Sequence, residues 1–425
     1  MITTGVTGRP WRASITDWGA IEPWDDVPTL NWFVAADDRW HVAAEESSVR
    51  QRRVEGTAVT ETRVRVPSGD VVQRIYSVAD AGGLTIVELE NESPMAVAVA
   101  FDRRDVLTER PIVDMPIEGI DLPDGAFVVP LGHQATTRIA LAHGEQRSGP
   151  IPAGVATMTQ VVRGWLSLTE RASRFVLPDG ERGSLLAEAI TAERCEVALG
   201  SIPRADDDPA GFALALGELV RMGEPPDHWM PELVDAVEAL GPDDGWDAEV
   251  ALVAAGHVLS AAGERRARRD LERMVGRRTP AIAPDDPPDG LRSIAWLESR
   301  LARGGALLPA GMPGDWLGQS VDVYGIPTAP GSAVSFAIRW HGERPAVLWE
   351  QTGAPVELSA PAVAPEWRSS ETKGETLWPR PPGAEPVAPD TIPVDPDAAT
   401  PTPEATSASG ADIDIDVDPE PGSFS

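Results

Sequence analysis

Val59-Thr60-Glu61-Thr62-Arg63-Val64-Arg65-Val66 leads through Pro67-Ser68-Gly69-Asp70 into Val71-Val72-Gln73-Arg74-Ile75-Tyr76-Ser77-Val78. Both runs are rich in Val, Ile and Thr, residues whose branched side chains lose freedom in a helix and pack well on a pleated surface, so each is expected to be a strand. The pattern continues outward. Leu84 to Leu89 follows the turn Asp80-Ala81-Gly82-Gly83, and Val97 to Phe101 follows Asn91-Glu92-Ser93-Pro94. Weaker strand signals occupy Ala126 to Val129 and Thr136 to Leu141. Short strands at this spacing predict an N-terminal β-sandwich over residues 1–150, ending at the Gly149-Pro150 break.

From residue 155 to 305 the period becomes helical, with expected helices at Thr159–Phe175, Ser184–Leu199, Ala210–Met222, Trp229–Leu240, Asp247–Ala262, Arg265–Val275 and Leu291–Arg303. Asp206-Asp207-Asp208-Pro209 opens one that closes at Gly223-Glu224, and Asp243-Asp244-Gly245-Trp246 opens one that closes at Gly263-Glu264, 40 residues further on. Acidic starts and glycine stops suit the helix dipole and the left-handed cap, and the repeat describes stacked α-hairpins. Residues 306–380 return to strand. Ala333 to Trp340 alternates, turns at His341-Gly342-Glu343-Arg344-Pro345 and comes back as Ala346 to Glu350, a hairpin in a small C-terminal β-domain. The last 45 residues, 381–425, hold ten Pro, ten Asp or Glu and no Lys or Arg, a composition expected to stay disordered. The expected fold class is thus multidomain α and β.

Charge narrows the function. With 67 acidic against 36 basic residues the formal charge is −31, which excludes a general nucleic-acid binder, since a phosphate backbone needs a cationic face. No run of 18 apolar residues marks a membrane span, and the N-terminus shows no apolar signal region. Cys195 is the only cysteine, so no intrachain disulfide and no thiolate zinc site can form, and a reducing, cytoplasmic location is expected. Six scattered histidines give no metal spacing, and neither a nucleophile elbow nor a phosphate-binding loop occurs. No cofactor or metal is expected. Arginine crowds Arg265-Arg266-Ala267-Arg268-Arg269, Arg273, Arg277 and Arg278, read as a solvated, salt-bridged face or a docking face for the acidic tail.

Three phrases carry a resemblance: Arg74-Ile75-Tyr76 with Leu84 to Asn91, Asp244-Gly245-Trp246-Asp247 before a helix, and Phe336 to Glu350 near the end. With the order of β, paired-helix and β segments, the chain resembles the six-hairpin glycosidases, the (α/α) toroid enzymes related to glucoamylase. A complete toroid of that family has twelve helices, whereas about seven fit here, so the resemblance implies a reduced glycosidase. If the chain is an enzyme, it is then expected to be a glycoside hydrolase, with two carboxylates flanking the scissile bond roughly 6.5–9.5 Å apart for inversion. Asp244, Asp247 and Glu249 beside Trp246, with Glu350 on the C-terminal hairpin, are the candidate catalytic carboxylates. Ordinary helix capping and a solvated first turn are the favoured explanation of the first three.

Tryptophan supplies the candidate ligand platform. Ten of the 14 indoles lie in the first 40 residues or in the last β segment. Sugar rings stack their C–H faces on indole, so Trp40, His41, Trp246, Trp340, His341 and Trp349 are the candidate substrate-binding residues, though tryptophan as the core of a small β-domain is the competing explanation. The leading expectation is a carbohydrate-recognising protein, with or without turnover. The alternative is a non-enzymatic scaffold that presents its helix pairs and acidic tail to another protein. Two copies joined as a homodimer would restore a fuller ring of helices.

Overall fold

The two runs around Pro67-Ser68-Gly69-Asp70 pair with each other, Thr60–Val66 against Gly69–Val78, with Val64 opposite Val71. The computed structural model describes residues 1–24, 27–112, 116–144, 148–178, 181–241, 245–276, 278 and 281–381. The expected acidic tail beyond Pro381 lies outside them. Among the described residues the chain is mixed α and β, with seven α-helices and five sheets.

The largest sheet has seven strands in the order Gly149–Pro150, Leu107–Thr108, Thr136–Ala142, Leu84–Asn91, Gly69–Val78, Thr60–Val66 and Arg50–Arg53. A four-stranded sheet runs Phe127–Leu131, Val97–Phe101, Trp32–Ala35 and Trp40–Val42. Alternation decides which side chains meet. Val64, Val71, Ile75, Val87 and Leu89 from the first sheet share one core with Val34, Val99, Phe101 and Phe127 from the second, closed by Ala13, Ile15 and Ile21. At the C-terminal end the expected hairpin is present as Ser332–His341 and Arg344–Thr352, with Phe336 opposite Trp349. It is flanked by Val321–Ala329 and Lys373–Leu377.

The helices are α1 (Met158–Thr169), α2 (Glu181–Ala198), α3 (Pro209–Met222), α4 (Met230–Ala239), α5 (Gly245–Ala261), α6 (Arg265–Val275) and α7 (Arg292–Leu301). Their ends follow the sequence closely. Asp208 caps α3 by accepting from the Gly211 N–H at 2.9 Å, with proline as the first helical residue. The two Gly-Glu stops close alike: the Glu224 N–H donates to the Leu219 carbonyl and the Glu264 N–H to the Leu259 carbonyl, both at 2.9 Å, with Gly223 and Gly263 at positive φ. These α-hairpins stack where Gly217 of α3 meets Ala254 of α5, so closely that a Cβ on residue 217 would lie 3.0 Å from that of Ala254.

One expected helix was too long. The stretch ending at Phe175 stops at Thr169, and Arg174–Val176 becomes a strand that pairs with the C-terminal sheet, Phe175 opposite Val323. A partner almost 150 residues away overrides the local helical pattern there. The N-terminal sheets meet the helices at α2. The Arg12 guanidinium donates to the Leu199 carbonyl at 2.7 Å, Arg53 pairs with Glu196, and Gly56 presses on the backbone of Glu188.

Gly56 has φ +70°, and a Cβ there would come within 2.2 Å of the Glu188 carbonyl oxygen. Gly56→Ala combines left-handed strain with a backbone clash, so it is expected to cost about 2 kcal/mol or more. Urea denaturation of the two proteins measures it, and an unchanged midpoint would contradict the contact.

Candidate functional site

Helix α5 carries apolar residues on two opposite sides, which a helix packed on one face does not require. Ala248, Ala251, Leu252, Ala255, Val258 and Leu259 enter the core shared with α3, α4 and α6. On the opposite side Trp246, Glu249, Val250, Val253, Ala254 and His257 recur at helical spacing and line a cavity of about 470 Å³. The remaining walls are Leu214 and Gly217 of α3, Leu271 and Val275 of α6, Ile294 and Ala295 of α7, and, from the C-terminal sheet, the end of the strand Val321–Ala329 with Pro330 after it. This volume lies in the range of small-molecule sites, roughly 300–1,000 Å³.

The cavity floor is charged and closed. Arg194 of α2, buried to 2 % exposure, donates from Nε to Glu218 Oε2 at 2.7 Å and from its two Nη groups to the carbonyl and hydroxyl of Ser173 at 2.7 and 2.6 Å. The Ser173 hydroxyl in turn donates a hydrogen bond to Glu298 Oε1 at 2.7 Å. Arg221 of α3 bonds Glu218, and it also donates to Glu298 Oε1 and to the Ala172 carbonyl, each at 2.7 Å. Burial alone would push the Glu218 carboxyl up, but Arg221 and Arg194 outweigh it and hold the group below the usual carboxylate range. Burial acts on Arg221 in the opposite sense and is likewise outweighed by Glu218 and Glu298, so its proton is held more tightly than usual.

Nearer the outside, Glu249 pairs with Arg303 and accepts from the Ala281 N–H at 2.8 Å, while Glu272 lies 3.3 Å from Arg268. Each of the four carboxylates lining the cavity, Glu218, Glu249, Glu272 and Glu298, therefore has an arginine partner. Three lining side chains carry a buried polar atom with no hydrogen-bond partner: His257 at Nε2, Thr328 at Oγ1 and Arg268 at Nε, the last ion-paired with Glu272. Burial, aided by Arg221 and opposed by Glu218, lowers His257 to about 4, so the imidazole is neutral at pH 7.

No protein-family model matches the chain, and no curated protein matches it. The function therefore has to be read from the site itself.

The structure brings together two of the ten residues expected to form a site. Trp246, buried, and Glu249 both line the cavity. Asp244 lies outside the described residues. Asp247 accepts from Arg292 at 2.7 Å, and Arg292 also holds Asp208 at 2.9 Å, so one guanidinium gathers the starts of α3, α5 and α7. The carboxyl of Asp208 is held low chiefly by that bond. Glu350 is exposed on the C-terminal hairpin, opposite Lys373. Trp40 donates to the Glu118 carbonyl at 2.8 Å, and buried His41 sits between Glu46 and Asp38, 3.0 Å from each. Trp340 donates to the Gln319 carbonyl at 2.7 Å, and His341 is exposed at the end of its strand. Trp349 is buried edge-on against Trp367 at 5.2 Å and donates to the Glu371 carbonyl.

Sequence reasoning passed over the cavity's other polar residues. His257 reads as a core histidine because it lies in an apolar helix. Glu218 and Arg221 sit three apart in the run Phe212 to Met222, otherwise almost wholly apolar, and that pair was the available signal for a buried ionic floor.

Two stability predictions follow from the floor and the histidine. Arg194→Leu leaves the buried carboxylates of Glu218 and Glu298 to share Arg221 alone and is expected to cost about 3–5 kcal/mol in urea denaturation, whereas an isolated surface pair would cost about 1 at most. The folded chain binds a proton on His257 less tightly than the unfolded chain, whose ordinary value is 6.5. Stability from this group is therefore complete above pH 6.5 and falls as the pH is lowered toward 4, by roughly 2 kcal/mol at pH 5. His257→Phe should lose less stability than the parent between pH 7 and pH 5 in urea denaturation, and equal losses would refute the assignment.

Proposed function

We propose that this protein binds a small molecule in the α3/α5/α6/α7 cavity and does not turn it over. The observation that supports this reading is that every carboxylate on the cavity wall is paired with an arginine. Glycoside hydrolysis needs one carboxyl kept protonated at neutral pH by an apolar surround, and a neighbouring guanidinium favours the ionised form instead. A mostly apolar cavity with a fixed floor suits retention.

A carbohydrate ligand is the second reading. It is favoured by Trp246 and Glu249 meeting on one wall, an indole beside a carboxylate as a sugar would use them. In the same proposal, the two N-terminal sheets that share a core form a β-sandwich, followed by the helical layer and a C-terminal β-domain. The likeness to six-hairpin glycosidases then lies in the order of the parts, with a helical layer too short for a full toroid.

Nile red, a neutral dye that brightens in apolar surroundings, tests occupancy. One equivalent per chain is expected to bind, and Val253→Arg, at an exposed position on the cavity wall, should weaken binding at least tenfold. Reducing-sugar assays over α- and β-linked oligosaccharides should stay at background. Dye binding untouched by Val253→Arg would remove the cavity from the proposal, and sugar release abolished by Glu249→Gln would establish a hydrolase.

A further inference from the structure

We infer that the ligand of this cavity is an uncharged, predominantly apolar molecule bearing one or two hydroxyl or carbonyl groups. The inference rests on the binding reading above and names its chemical class. Three observations carry it.

The first is charge. The lining carboxylates Glu218, Glu249, Glu272 and Glu298 meet Arg221, Arg268 and Arg303, with Arg194 directly beneath Glu218, and every one of these groups already has a partner. A charged ligand would have to break a pair, and it would leave one member buried without its counterion. A neutral ligand disturbs nothing.

The second is that, beside the ion-paired Arg268, two uncharged lining side chains have an atom without a hydrogen bond. Neutral imidazole offers one donor and one acceptor, and a threonine hydroxyl offers both, so His257 Nε2 and Thr328 Oγ1 each have capacity for a hydroxyl or carbonyl. A buried polar atom without a partner is costly, and a ligand group that pairs with it removes that cost. Oligosaccharides carry a hydroxyl on most carbons and would need many more partners than two.

The third is the wall. Val250, Val253, Ala254, Ile294, Ala295 and Pro327 present aliphatic surface with no hydrogen-bonding side chain. An apolar body is what such a surface retains.

The experiment displaces Nile red from the full chain with 1-decanol, decanoate and decylammonium, which share a chain and differ in charge, and with maltotriose. 1-Decanol is expected to displace the dye at least tenfold more tightly than either ion, with maltotriose inactive. The double variant His257→Phe with Thr328→Val should weaken 1-decanol about five- to tenfold. Ala295→Trp, which fills the cavity, and Val253→Arg, which leaves the core intact, should both abolish displacement. Decanoate or decylammonium matching 1-decanol would overturn the neutral class, and maltotriose displacing the dye would replace it with a carbohydrate; either leaves the cavity reading standing. An unchanged affinity for 1-decanol in the double variant would remove the two polar atoms from the inference. Dye binding equal in the parent and both blocking variants would mean that the cavity reading itself has failed.

Discussion

Two arginines and two glutamates, buried together where α2, α3 and α7 converge, set the arrangement of the helical region. Removing such ions from water costs several kcal/mol each, and that cost is offset only where geometry is good and every remaining donor and acceptor is used. Here they are used. Arg194 and Arg221 spend their donors on Glu218, Glu298, the Ser173 hydroxyl and the carbonyls of Ala172 and Ser173. The last two belong to the segment that leads into the strand Arg174–Val176, so the same four charges that fix three helices also fix where the C-terminal sheet is joined. The cavity lies above this floor, and its shape follows from a network with one arrangement.

Much of this fold was legible in the sequence. Val59 to Val78 announced its pair of strands because branched residues and a four-residue turn leave little alternative, and Asp208-Pro209 with Gly223 marked α3 almost to the residue. Arg174–Val176 was not legible. Three residues carry no periodicity of their own, and their partner Val321–Ala329 lies far along the chain. The cavity was hidden for a related reason. An apolar side of α5 looks the same in sequence whether it meets another helix or a ligand, so His257 passed for core, while Trp246 and Glu249 were noticed only because a tryptophan stood next to acids.

Tryptophan explains why the other candidates dispersed. Indole nitrogens of Trp32, Trp40, Trp296, Trp340 and Trp349 each donate to the carbonyl of an irregular segment, at residues 18, 118, 284, 319 and 371, while their rings pack against regular structure. An indole has one donor and a large apolar body, which fits it to pin a loop to a sheet or a helix. The abundance of tryptophan in this chain therefore accompanies its long connections. Exposed ring faces available for stacking are fewer, Trp18 and Trp24 being the more open ones in the N-terminal region.

The double-sided build of α5 has a consequence for how this protein can change. One side of the helix belongs to the shared core and the other to the cavity, with no polar stripe between to separate the two tasks. A residue exchanged to suit a different guest also alters how the helix sits against α3, and one exchanged to tighten the core reshapes the guest's seat. Specificity and foldability are thereby written on the same 17 residues, so new preferences would arise most freely from the strand end Pro327–Ala329 and Pro330, which contribute to the cavity without belonging to that core.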